Sequence, residues 1–531
     1  MTVAQLPLHL PQGFLHTTLE ALVWLPIVAK VVLGLTVILL LWRLVRFSIL
    51  PLFRPSEPQE YPYWTPFFGH LFAFFQDSDK LLARGRIYCG NTRDPFAVNI
   101  GGSKLYVLTK ASDVAEAYRN IRTLSFNVFV QEMLKTAGNS PFCVHAMYDP
   151  LPADKPGFPN PSSKPLATLA RDMHLQQLYP GKYLDLLGQD FNRIFDRHLH
   201  VENILRTCTY AQARDGSNSA VMPLMVWCSD VFTRAGQEAY FGPLLEKIDP
   251  DMTWKFLDFD ELSYQIQFQY PKWLSSKMHK VKEALVADLM VYFDTPQEQR
   301  HGDAWFVKAM EDEMRALKLS TYDMSVMMVT IYWGINTNTR KAAFWMLTYL
   351  LHDSELYDAL VAEIQPAFAE GATTPNAQYL LESCTRLNAA WDETIRMSAF
   401  SASVRHVTED TVIGGKLLRK GSRLMIPYRQ LHFDESIFGS DVQEFKSERF
   451  LKDKSLTRGG SWRPFGGGTT QCPGRFAAKQ VVISFVATLL KRFHVQLDGP
   501  QRFPEGQLGK PVLGIMASKG ELQVMITPRK V

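Results

Sequence analysis

The sequence predicts a mainly α-helical fold with small β-sheets, one globular domain behind a single amino-terminal transmembrane helix. Three observations predict it: an apolar run near the start, helical apolar periodicity in Ser320–His352 and Arg475–Phe493, and a strand pattern confined largely to Asp94–Lys110. The expected boundaries are an anchor over 21–42, a basic and proline-rich hinge over 43–66, and a globular domain over 60–531.

The anchor comes first. From Ala21 to Trp42 the chain reads ALVWLPIVAKVVLGLTVILLLW, about the 20 residues a helix needs to cross a bilayer. Lys30 opposes insertion by roughly 2.5–3.5 kcal/mol, while the Leu, Val and Ile residues return about 4–8 kcal/mol in sum, so insertion wins over a buried core helix. No Lys or Arg precedes the run, and Arg43, Arg46 and Arg54 follow it, which leaves the bulk of the chain on the cytosolic side. Neither a basic start nor a small-residue cleavage site marks a signal peptide.

The hinge carries prolines at 55, 58, 62 and 66, which favour an extended, semi-rigid path. Asp94–Lys110 reads as two strands around Gly101-Gly102, and ASDVAEAYRN after it as a helix. His145–Pro165 is a proline-rich loop, and no repeat or second linker follows. Ser320–His352 opens on Ser320-Thr321 with Asp323 in its first turn, a favourable helix start. As one helix it would span on the order of 45 Å, through the core. Its middle, WGINTNTRKAAFW, holds poor helix formers, for which solvent exposure is the ordinary explanation.

Composition narrows the function classes. With 531 residues, 46% of them hydrophobic, the chain can bury a large core. Its net charge of +4 comes with no basic block interleaved with aromatics, so nucleic-acid binding is not indicated. The six cysteines, Cys89, Cys143, Cys208, Cys228, Cys384 and Cys472, show no C-x-x-C pair and no zinc spacing, which suits a reducing compartment.

Cys472 stands apart, in Phe465-Gly-Gly-Gly-Thr-Thr-Gln-Cys472-Pro-Gly474-Arg475. The glycines permit tight turns and close approach of backbone to a flat ligand, and Pro473 excludes ordinary strand pairing. The helical pattern from Arg475 places Cys472 just before a helix amino terminus, where exposed N–H groups favour a thiolate. A metal ligand, a nucleophile lacking a local histidine base, and an inert buried cysteine all fit the loop.

The chain resembles the cytochrome P450 haem-thiolate family. The match is F-x-x-G-x-x-x-C-x-G at Phe465, Gly468, Cys472 and Gly474, with E-x-x-R at Glu393–Arg396, 79 residues before the cysteine, then Arg405 and EFKSERF (Glu444–Phe450) in the family's order. Glu116–Arg119 also fits E-x-x-R, but outside that order. The resemblance implies the P450 fold and a haem b cofactor with Cys472 as axial iron ligand and Phe465, Gly468 and Gly474 around it. It further implies a buried network of Glu393, Arg396 and Arg449, and Arg405 against a haem propionate. Thr470 stands where the family often has Arg or His.

Where most members carry an acid and a threonine in mid-helix to relay protons, this chain has Thr337 and Asn338, followed by Thr339. Trp333, Asn338, Thr339, Phe344 and Trp345 form a pattern similar to the branch of cholesterol 7α-hydroxylase, sterol 12α-hydroxylase and prostacyclin synthase, and the cysteine loop resembles fungal members. The resemblance thus implies a monooxygenase acting on a lipophilic sterol, terpenoid or polyketide, with electrons from an NADPH-cytochrome P450 reductase at the endoplasmic reticulum membrane. Thr337-Asn338 equally suits a haem-thiolate isomerase needing no external electrons; a haem protein without turnover is a third reading. Substrate contacts are expected from Trp333–Asn338, Ser398–Ser403 and Leu513–Gly520, and a basic reductase face from Lys479, Lys491 and Arg492.

Overall fold

The computed structural model describes residues 26–214, 218–509 and 512–529. Helix α1 (Ile27–Leu44) has no buried residue. It continues through a π turn at Val45–Ile49 and a last turn at Leu50–Leu52, which holds Pro51. The apolar helix therefore extends past Trp42 to Leu52, and the expected stretch Ala21–Leu25 lies outside the described residues.

The first part of the expected hinge is thus helical, and the globule grips it. Arg43 Nη1 donates to Tyr63 O at 2.6 Å and its guanidinium lies 4.0 Å from the Trp64 ring centre. Arg46 pairs with Glu60 at 2.9 Å. The rings of Trp42, Phe47 and Tyr63 meet at 5.1–5.7 Å, within the range of favourable aromatic pairs.

Strands β1 (Gln59–Glu60), β2 (Phe96–Ile100), β3 (Ser103–Val107) and β4 (Leu124–Ser125) belong to a six-stranded sheet. The β2–β3 hairpin turns on Gly101 and Gly102, with φ of +59° and +84°, values only glycine adopts freely. Strands β5 (Gln212–Ala213) and β6 (Ala220–Pro223) belong to a second sheet. Later come β7 (Ala402–Val407), β8 (Arg423–Pro427), β9 (Phe493–Leu497) and β10 (Gln523–Pro528). The first sheet runs β1-β2-β3-β8-β7-β4, the second β9-β10-β6-β5. Strand content beyond Asp94–Lys110 is larger than the sequence suggests, because these strands are short and pair over long separations.

Helices carry the core. Those that position the site are α2 (Ala111–Arg119), α3 (Asn127–Ala137), α4 (Met252–Leu262), α5 (Thr321–Asn336), α6 (Thr339–Leu351), α7 (Thr385–Ser398) and α8 (Arg475–Arg492). Ser320 caps α5 by accepting the Asp323 N–H at 3.1 Å. Helix α8 is buried along most of its length, as an all-round apolar helix requires. Tyr148 ends a helix that includes the first residues of the expected proline-rich loop, and Glu313 pins the loop itself through Lys155 Nζ at 2.6 Å and Phe158 N at 2.8 Å.

Ser320–His352 is not one continuous helix. The last backbone bond before the interruption is Thr337 N to Trp333 O at 3.0 Å, and the ladder resumes with Ala342 N to Asn338 O at 2.9 Å. Solvent exposure does not explain the polar middle either: Asn336, Thr337, Arg340 and Lys341 are buried.

Candidate active site

The cysteine loop is shaped by its own backbone and by two tyrosines. Cys472 N–H donates to Phe465 O at 2.9 Å. Gly468 has φ of +61°, and a Cβ there would meet the Tyr118 ring of α2 at 3.0 Å, so a side chain is excluded twice. Tyr118 Oη bonds Tyr428 Oη at 2.6 Å behind the loop. Gly474 precedes α8, and a Cβ on it would come within 3.7 Å of Cys472 Sγ.

The loop floors a cavity of about 1240 Å3, lined on that side by Phe465, Thr470, Cys472 and Gly474. Cys472 faces this space, whereas Cys143, Cys208, Cys228 and Cys384 are buried elsewhere. Burial pushes the Cys472 thiol up, against the pull of the Gly474 N–H and the Arg475 charge. A metal ion bound at this sulfur would favour the thiolate.

Behind the loop lies a closed network. Glu393 and Arg396, one turn apart in α7 and fully buried, form a two-pronged pair at 2.7 and 2.8 Å. Arg396 Nη1 donates to the carbonyls of His432 and Val442 at 3.0 and 2.9 Å. Arg449 Nε reaches Glu393 at 3.4 Å and its Nη1 reaches Asp441 at 2.9 Å. His432 Nε2 accepts the Arg463 N–H at 2.9 Å, joining this network to the start of the cysteine loop. Burial, with Arg396 and Arg429 nearby, pushes His432 down to about 3, so it stays a neutral acceptor. Glu116 instead accepts from Gly414 N at the surface of α2, and Arg119 is exposed.

Arg405, in β7, is 5% exposed. Its guanidinium donates to Ser403 Oγ and Thr470 Oγ1, both at 2.6 Å, and stacks on Phe126 at 4.7 Å. No carboxylate among the described residues pairs with it.

The family model for cytochrome P450 matches residues 247–524, which hold the Glu393 pair, Arg405 and the cysteine loop. The chain belongs to the cytochrome P450 family. It is similar to the cytochrome P450 monooxygenase poxD of Penicillium oxalicum, 26% identical over 487 residues, 88% of this chain and 93% of that protein. It is also similar to the cytochrome P450 monooxygenase nodJ of Hypoxylon pulicicidum, 22% identical over 90% of both chains. Cytochrome P450 7B1 of Mus musculus is 22% identical over 84% of this chain and 85% of its own. The protein is a P450 monooxygenase.

Membership of the P450 family implies haem, and the residues present fit it. A thiol stands on the cavity floor with glycine on both sides, and at the cavity edge the buried Arg405 carries a charge that its hydroxyl partners do not neutralise. A haem carboxylate placed there would answer that charge.

The opposite wall of the P450 cavity includes Gly334, Asn338 and Thr339. Asn338 Oδ1 accepts from Ile515 N at 3.0 Å and so ties the interruption between α5 and α6 to the carboxy-terminal loop. Thr337 turns the other way. Its hydroxyl, Trp333 Nε1 (2.8 Å), Lys341 Nζ (2.8 Å) and Arg340 Nη2 all donate to the carboxylate of Asp260 in α4. Burial alone would raise Asp260, but Lys341 and Arg340 outweigh it and hold the carboxyl well below the usual range.

Of the expected substrate windows, Gly334–Asn336 and Asn338, Ser401–Ser403 and Leu513–Ile515 line the cavity, whereas Ser398 and Ser518 do not. The three residues expected to present a basic face are engaged within the chain: Lys479 with Asp392 at 3.7 Å, Lys491 with Gln365 at 2.9 Å, and Arg492 with the carbonyls of Asp196 and Leu199 at 3.1 Å. Sequence reasoning missed Asp260, Tyr118 and Tyr428. A lone acid in one helix and two tyrosines 310 residues apart carry no local signal.

Proposed function

We propose that this P450 monooxygenase inserts one oxygen atom of O2 into a C–H bond of a lipophilic substrate of the sterol, terpenoid or polyketide kind. The second oxygen atom leaves as water, with two electrons from a membrane-bound NADPH-dependent reductase and two protons. The observation that carries the proposal is the large cavity over Cys472, whose lining reaches the exposed apolar Phe72 and Leu274. These two residues are 68% and 53% exposed, and Phe67 and Trp273 are more so.

Haem, when held by Cys472, supplies the activation of dioxygen, with the thiolate favouring O–O cleavage. Glu393, Arg396 and Arg449 support the chain that presents Cys472, and Arg405 with Thr470 would hold the cofactor's carboxylate edge. Asn338 and Thr339 stand at the reacting end of the cavity, Asn338 as a neutral amide that donates without acting as a proton reservoir. Arg423 and Gln269 line the cavity, 3.2 Å apart and each paired with Glu132 at 3.4 and 2.8 Å, and offer polar groups to an oxygen function on the substrate.

The apolar helix Ile27–Leu52 supports single-pass anchoring, which we assign to the endoplasmic reticulum membrane with the catalytic domain in the cytosol. The rearrangement reading is not favoured, since the relatives above are named as monooxygenases. The test is mass spectrometry of products from microsomes containing the protein, given a panel of sterols and terpenoids under heavy-isotope O2. One heavy oxygen in the product only with reductase and NADPH supports the proposal; an unlabelled isomer formed without them overturns it.

A further inference from the structure

We infer that Asp260 is a positioning residue that staples the interrupted helix α5–α6 along one face, so that Ile335 and Asn338 stay open to the cavity on the other. The inference rests on the haem-thiolate site but not on any choice of substrate.

Asp260 gathers donors from Trp333, Thr337, Arg340 and Lys341. Relative to Trp333 these stand at i+4, i+7 and i+8, the spacing of one face of a helix. Two of the donors precede the interruption at Thr337-Asn338 or stand at its start, and two follow it. Of the residues that line the cavity, Ile331, Ile335 and Asn338 fall about 115–175° away from that face at 100° per residue, whereas Gly334 falls beside Lys341.

The backbone ladder lapses between Thr337 and Ala342, so it does not hold the two helices in line there. Asp260 does so from outside. Its carboxylate is 4% exposed, Arg340 is tied further to Ser229 Oγ at 2.7 Å, and Lys341 Nζ also reaches Thr337 Oγ1 at 3.1 Å. Two cations share one carboxylate, and removing its charge would leave both buried without a counter-ion. Asn338, fixed at its far side by Ile515 N, would then move with whichever helix end moves.

The test uses the full-length haem-loaded protein with Asp260→Asn, Asp260→Glu and the milder Thr337→Val. Two readouts need neither substrate nor reductase: hydrogen exchange of peptides across Trp333–Lys341, and the infrared C–O stretching band after chemical reduction under carbon monoxide. The expected result for Asp260→Asn is at least tenfold faster exchange confined to that segment and a shifted, broadened C–O band at unchanged haem content. Asp260→Glu restores part of both, and Thr337→Val moves both in the same direction by less. Unchanged exchange and an unchanged band overturn the inference. So does faster exchange spread evenly over the molecule, which means general destabilisation. If Asp260→Asn does not fold, a Thr337→Val protein with wild-type exchange and band overturns it equally.

Discussion

Cys472 contributes its sulfur to the cavity and only its backbone to the loop, whose shape rests on Phe465 O, Gly468 and Tyr118. Cys472→Ala should therefore lose the thiolate signature in the absorption spectrum while changing stability by less than about 1 kcal/mol, to be checked by urea unfolding of the apoprotein. Arg405→Leu should fold and bind haem but release it faster to an acceptor protein, because the buried charge that answers a carboxylate is gone. Asp392 has a different consequence. Burial raises its carboxyl to about 6 against the pull of Lys479, so the folded protein binds an extra proton between about pH 4 and pH 6. Stability falls as pH rises through that window, and the full penalty is present at pH 7. Asp392→Asn should gain on the order of 2 kcal/mol at pH 7 and nothing below pH 4, measured as urea midpoints at the two pH values. Cys472 and its glycines were legible because the loop is one contiguous run. The environment of Asp392 was not, since burial against α8 follows from helix packing.

Helix α7 places Glu393 and Arg396 on the same face one turn apart, where the pair holds the carbonyls of His432 and Val442 and the N–H of Lys446. In Glu393→Ala, Arg396 and Arg449 remain with carbonyl partners but without their shared carboxylate, an expected loss of about 3–5 kcal/mol. Failure to retain haem on gel filtration and an early urea transition would show it; normal loading and an unchanged midpoint would not fit a supporting network. The pair was legible because both residues lie in one turn, and Arg449 because it follows at a family distance. The interruption between α5 and α6 was legible only as a run of poor helix formers. Its cause was hidden, because Asp260 lies 73 residues before Trp333 and 81 before Lys341, in a helix whose own sequence says nothing of its partners. The sheets were hidden for a related reason: β3 pairs with β8, putting Leu105 beside Arg423, and no local pattern announces a partner that distant.

At the scale of the molecule, the anchor and the globule are joined by contacts and not by a free linker: Arg43 to Tyr63, Arg46 to Glu60, and the Trp42–Phe47–Tyr63 ring cluster. Deleting residues 1–52 should release the protein from membrane pellets without changing its haem spectrum, since no residue of α1 contributes to the core; a spectrum that changes would mean the contacts reach further than their geometry. The overall plan of one amino-terminal apolar helix followed by a mainly helical fold was legible from periodicity and composition, but this docking was not, because the prolines of the segment suggest a spacer. If α1 spans a bilayer as proposed, this docking would fix how the exposed rings at Phe67, Phe72 and Trp273 meet the lipid. An enzyme held that way samples its substrate in two dimensions. Its half-saturation should follow the mole fraction of substrate in the bilayer and not its bulk molarity, so adding inert lipid at constant total substrate should slow the reaction by dilution within the surface.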